Sequence, residues 1–189
     1  MKIALIGEGK NDKEVIPVFI KKIFQPYNID PSIIARKVPR GDLFSSHKIR
    51  AYLEKDILAK HSRIDKAIIC VDSECSDENE ITDKAKLIEK ELADINPQPI
   101  YIVLIHALEG WLLADTEAIE SYLATKINIK PSDALVCKPK EMLSSIFRKA
   151  GKDFDYMRDN PRIAQLCNPD RIIMNNKSIL ALIKIAESD

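Results

Sequence analysis

The sequence predicts an α/β fold: an open, mostly parallel sheet with helices on both faces, plus a C-terminal helical extension. Three observations predict it. Short β-rich runs alternate with longer amphipathic patterns, in the order β-α-β-α-β-α-β-α, up to about residue 125. Such alternation builds parallel strands joined by crossover helices. The run KAIICVD (66–72) is apolar almost throughout, as a strand covered on both faces must be. Beyond residue 125 the strand signals stop and short helical patterns follow. The chain thus divides into an α/β core, residues 1–125, and a helical extension, residues 126–189, packed on it.

Each element has its own signal. KIALIG (2–7) reads as a buried strand. In NDKEVIPVFIKKIF (11–24), Val15, Ile16, Phe19, Ile20 and Ile23 mark one face of a helix. Asn11 or Asp12 is placed to cap it, and Pro17 sets the start of the regular helix later than the pattern does. PSIIARKV (31–38) is the second strand, PRGD a turn, and SSHKIRAYLEKDILAKH (45–61) an amphipathic helix with a serine cap. After the third strand, SECSDENE (73–80) is an acidic loop and ITDKAKLIEKELADI (81–95) a helix. PIYIVLIH (99–106) is the fourth strand, and 107–124 a helix bent near Gly110. In the extension, 126–140 is loop-like, and 141–151, 160–167 and 178–188 are helical.

Composition narrows the class. In 189 residues, 46% are apolar and 31% charged, with equal numbers of acids and bases. That suits a folded domain with its own core and shows no overall basic field for nucleic acid. The charge is nevertheless uneven. Residues 1–125 carry 17 basic and 21 acidic side chains, and residues 126–189 carry 12 and 8. An anionic partner near the extension is therefore permitted. Cys70, Cys75, Cys137 and Cys167 form no C-x-x-C pair and no disulfide framework, which reads as a reduced, cytoplasmic protein. No apolar run approaches the length of a membrane span, and the apolar stretch after Lys2 is too short for a signal peptide.

In parallel sheets, functional side chains sit just beyond the C-terminal ends of strands. That rule selects Glu8, Asp72 and Glu74, and His106 with Glu109. Four of the five are acids, and clustered carboxylates call for a cation with a preference for oxygen, such as Mg²⁺ or Mn²⁺. A phosphate loop is excluded at ALIGEGKND (4–12), because neither G-x-x-x-x-G-K-[ST] nor G-x-G-x-x-G is present. Gly7 and Gly9 instead leave Glu8 on an uncrowded perch, with Lys10 placed to neutralise a phosphate. Trp111 reads as a core residue with its N–H bonded, and Asp115 as a cap for TEAIESYL. His106 and Glu109 have H-x-x-E spacing, but no further zinc ligands accompany them. The lysines of 126–152 read either as a solvated face or as a contact for a nucleic-acid backbone.

A resemblance enters at these residues. Gly7-Glu8-Gly9 with Asp12, and the strand ending in Asp72-Ser73-Glu74, resemble the two motifs of Toprim domains, found in topoisomerases, primases and OLD-type nucleases. More specifically, HALEGWLLAD (106–115) resembles the Glu-x-Trp-Leu-Leu-Ala-Asp signature of a Toprim-like bacterial and archaeal family of unknown function. NPDRIIMNNKSILALI (168–183) is similar to that family's closing segment. The resemblance runs along essentially the whole chain and implies a Toprim/Rossmann-like sheet. It also implies Mg²⁺ or Mn²⁺ on Glu8, Asp72 and Glu74, with Glu8, Lys10 and Glu109 as catalytic residues of a nuclease acting on DNA or RNA. The second motif departs from the family, reading Asp-x-Glu where Asp-x-Asp is usual, and Asp77 is a substitute ligand. The alternative it implies is a catalytically degenerate module that binds nucleic acid or a partner such as an ATPase.

Overall fold

The computed structural model describes residues 1–188; Asp189, the last residue of the expected extension, lies outside them. Four strands, β1 (Lys2–Gly7), β2 (Ser32–Lys37), β3 (Lys66–Asp72) and β4 (Pro99–Leu104), form one parallel sheet in the order β2-β1-β3-β4. The α/β class and the parallel sheet are as the alternation predicts. The direction of winding reverses at β1: the chain steps from β1 to β2 on one side, then to β3 and β4 on the other. Right-handed crossovers therefore put α1 (Lys10–Phe24) on one face and α4 (Glu78–Glu91) on the opposite face.

Side-chain alternation fills both faces. Ile3, Leu5, Ile68, Cys70, Ile102 and Leu104 join one core with Phe19, Phe24 and Trp111. Ala4, Ile6, Ala67, Ile69, Val71 and Tyr101 join the other with Leu43, Ile49, Leu53 and Ile88. The helices after β4 all pack on the α1 face. These are α5 (Glu109–Ala114), α6 (Thr116–Leu123), α7 (Pro139–Lys149), α8 (Tyr156–Leu166), α9 (Pro169–Asn175) and α10 (Leu180–Glu187). Ile163, Ile172, Ile179 and Leu182 of the extension share the core of β1 and β3. No helix among the described residues is long and apolar enough to cross a membrane.

Several local expectations are corrected. Helix α1 does not begin after Pro17 but runs through it from Lys10, with Gly9 as N-cap; Asp12, three residues on, accepts the Gly9 N–H at 2.9 Å. One proline N–H is lost, and the buried face of Val15, Ile16, Phe19 and Ile20 holds the helix together around it. PRGD is not a plain turn but the one-turn helix α2 (Arg40–Leu43). The 45–61 helix is α3 (Ser46–Ala51), which continues as a π-helical turn over Tyr52–Ile57. The 107–124 helix breaks at Asp115 and not near Gly110. Gly110 serves close approach instead: a Cβ there would stand 3.0 Å from the Ala134 carbonyl oxygen and 3.1 Å from Asn176 Nδ2. Asp115, fully buried, accepts from Ala118 N at 3.2 Å and from Asn168 N at 2.7 Å, and pairs with Arg171 Nε at 3.3 Å. It caps α6 as expected, and ties it to α9.

Trp111 fills the centre of the α1-face core. It is fully buried, meets Phe19 edge to face at 5.3 Å, and donates its indole N–H to Ser178 Oγ at 2.7 Å. Replacing it by alanine would remove the largest buried side chain and the hydrogen bond that Ser178 accepts. Trp111→Ala is expected to lower unfolding free energy by about 3–5 kcal/mol, measured by urea denaturation followed by circular dichroism.

Candidate active site

The reversal of strand order opens a crevice above the tips of β1 and β3, the position where parallel sheets bind ligands. A cavity of about 600 Å³ lies there, lined among others by Asn11, Asp12, Asp72, Glu74, His106, Glu109, Lys138, Lys140 and Tyr156. The parity of β3 explains its floor. Asp72 shares the side of Ile68 and Cys70, the α1 face, so its carboxylate leaves the strand toward α1, α5 and α7. Glu8 has the parity of Ala4 and Ile6, the opposite face.

Glu8 accordingly does not line the cavity. Its Oε1 accepts the Asp72 backbone N–H at 2.9 Å, joining the two strand tips. Asp12, read in the sequence as a cap, takes the place in the cavity wall that the motif gives to Glu8. Lys10 is exposed and lies outside the lining. Glu74 sits at the rim in a left-handed conformation, φ 51°, with its carboxylate paired to Arg40. Arg40 also donates to the Asp72 carbonyl at 3.2 Å. Loops after β3 and β4 are joined by Ser73 N to Leu104 O at 2.9 Å, Glu74 N to His106 O at 2.7 Å, and His106 N to Ser73 Oγ at 2.8 Å. His106, itself at φ 60°, also meets the Glu74 carbonyl through Nδ1.

Glu109 opens α5 and is buried. Its Oε1 accepts from Asn160 Nδ2 at 2.9 Å and Asn11 Nδ2 at 3.4 Å, while the amide oxygens of both asparagines are buried without a partner. Neither asparagine was legible as a site residue; Asn160 lies 51 positions from Glu109 on another helix. The cavity is lined as well by Lys138, paired with Glu141 at 2.9 Å, and by Lys140, whose ammonium lies 3.7 Å from the centre of the Tyr156 ring. The other lysines of 126–152 do not line the cavity.

Burial and mutual repulsion hold the acids above their ordinary range. Asp72 is pushed well up by burial first, then by Asp12, Glu8 and Glu109, with Arg40 opposing. Burial likewise raises Asp12, against the Gly9 N–H bond, and Glu109, against Asn160 and Lys140. Glu8 is raised by burial, against the Asp72 N–H and Arg40. An oxygen-only donor set that repels itself has the chemistry a hard cation relieves. Among the described residues, however, no three histidine, cysteine, aspartate or glutamate side chains stand close enough to hold an ion together. Glu74, turned to Arg40, is the ligand most clearly out of place.

The cysteines overturn an expectation. Cys75, in the loop after β3, and Cys137, just before α7, form a disulfide with Cα atoms 5.0 Å apart. Sixty-two positions separate them, and only the fold brings them together, so spacing gave no signal. The reading of all four thiols as reduced is therefore corrected. Cys70 and Cys167 are free and buried.

A family model described as a domain of unknown function (DUF4276) matches residues 7–184. No curated protein and no solved structure matches the chain.

Because these acids bind protons more tightly folded than unfolded, their contribution to stability is present at low pH. It is lost as pH rises from the ordinary aspartate value of 3.8 through the raised value of Asp72. Asp72→Asn is expected to stabilise the protein by about 1 kcal/mol near neutral pH and to flatten the decline, as read by thermal denaturation across the pH range.

Proposed function

Because the chain belongs to the DUF4276 family, whose description names no activity, we propose its function from the site: cation-dependent processing of phosphodiesters in DNA or RNA, as in Toprim nucleases. One observation carries this reading. The acids Asp12, Asp72 and Glu109 and the bases Lys138 and Lys140 line a single cavity. A nucleic-acid backbone is drawn by the lysines and repelled by the carboxylates unless a cation lies between. The likeness of Gly7-Glu8-Gly9 with Asp12, and of Asp72-x-Glu74, to Toprim motifs supports the same reading, as does that of EGWLLAD to the signature of a Toprim-like family of unknown function.

In this proposal Mg²⁺ or Mn²⁺ is held on Asp72, with Asp12 beside it, while Glu8 joins the strand tips outside the cavity. Mg²⁺ commonly takes only one or two carboxylates and completes its shell with water and phosphate, so an all-protein cage is not required. A cation bound there would supply Lewis-acid polarisation of a phosphoryl oxygen. The chain's own residues do the rest. Lys140 offsets the charge of the phosphate. Glu109, oriented by Asn160 and Asn11 and raised in proton affinity, holds or delivers a proton at its carboxylate. Lys10, outside the cavity, reaches only a longer stretch of backbone. An ATPase partner, implied by the same resemblance, belongs to the proposal as well.

The pairing of Glu74 with Arg40 favours a second reading, a module that binds nucleic acid or a partner without cleaving it. Calorimetric titration of Mn²⁺ with a short oligonucleotide present, followed by a cleavage assay, separates the two. The enzyme reading expects saturable cation binding, lost in Asp72→Asn, and metal-dependent cleavage. It also expects Lys138→Gln/Lys140→Gln to weaken oligonucleotide binding about tenfold. Binding without cleavage selects the module; no cation heat and no retained oligonucleotide would overturn both.

A further inference from the structure

The disulfide lies in the wall of the proposed site. Cys75 follows Glu74 directly, Cys137 precedes Lys138 directly, and both line the acidic cavity. The bond therefore ties the loop that carries Glu74 to the segment that carries Lys138 and Lys140. Both cysteines are exposed, whereas Cys70 and Cys167 are buried with thiols held protonated. Thiol–disulfide exchange needs an accessible sulfur and a thiolate, so in this chain it is confined to the Cys75–Cys137 pair.

The tethered loop is also the one that withholds a ligand. Glu74 adopts a backbone conformation that residues other than glycine rarely adopt, and its carboxylate rests on Arg40 rather than beside Asp72. We infer that Cys75–Cys137 is a redox-modification site that controls cation binding: oxidised, it holds Glu74 on Arg40; reduced, it frees Glu74 to join Asp72. This rests on the cation reading above. The reductant is a small or protein thiol. Its thiolate attacks one sulfur, the S–S bond breaks, and a mixed disulfide forms. A second thiol then displaces the remaining cysteine. The protein sulfurs gain two electrons and two protons, and the reductant leaves as its own disulfide.

Once the covalent link is gone, Glu74 is held only by Arg40 and by its backbone bonds to His106, non-covalent contacts that leave its side chain free to turn. The Asp72-x-Glu74 motif then presents both carboxylates on one side. A third carboxylate raises affinity by about tenfold, the scale on which single groups around a metal act.

The experiment is a Mn²⁺ titration by calorimetry on three samples. These are oxidised wild type, wild type reduced with dithiothreitol and freed of it by anaerobic gel filtration, and the Cys75→Ser/Cys137→Ser variant. Alkylation and mass measurement confirm the thiol count in each. The reduced protein and the variant are expected to bind Mn²⁺ about tenfold more tightly than the oxidised form. Should the variant not fold, reduced wild type decides alone. Equal affinity across the forms, or tighter binding by the oxidised one, overturns the redox control and leaves the cation reading standing. No cation heat in any form overturns the cation reading, and the redox control with it.

Discussion

The handedness of the crossover connections governs this molecule. Because β2 and β3 flank β1 on opposite sides, right-handed connections send α1 and α4 to opposite faces of the sheet. Nothing then covers the tips of β1 and β3 from above, and a crevice opens between them. The remaining helices, α5 to α10, follow β4 onto the α1 face, and the starts of α5, α7 and α8 wall that crevice in. Every residue argued to matter, from Asp12 at the start of α1 to Lys140 in α7, owes its position to that single topological choice.

Parity then sorts the acids. Asp72 and Glu8 end neighbouring strands, but their side chains leave on different faces, because one follows Cys70 by two residues and the other follows Ile6 by two. Asp72 reaches the cavity. Glu8 turns toward Arg40 and spends one oxygen on the Asp72 N–H. A motif written along the sequence treats the two as equals, whereas the pleat of the sheet gives one of them the role of joining strand tips.

The strands were legible because each is a compact apolar run bounded by polar or turn residues. Trp111 and Asp115 were legible because a lone tryptophan among leucines, and an aspartate before Thr-Glu-Ala, have few other uses. The break at Asp115 was misplaced to Gly110 because a glycine within a helical pattern signals either a bend or a close approach, and only the Ala134 carbonyl shows which. Asn11, Asn160 and the Cys75–Cys137 bond could not be found at all. Their partners lie 98, 51 and 62 positions away, and no local period or propensity connects residues so far apart. The acidic character of the site was visible; its basic lining was visible only as a scatter of lysines, two of which the fold selects.

The seat of Glu109 is built from both ends of the chain. Asn11 comes from the first helix and Asn160 from α8, and both donate to the same carboxylate oxygen. A nascent chain has β1 to β4 available well before α8 emerges, so the sheet can assemble while that carboxylate is still unheld. The acidic cavity thus acquires its shape late in synthesis, after the sheet beneath it. A half-made copy would carry the sheet and the strand-tip acids without the arrangement that makes them a site.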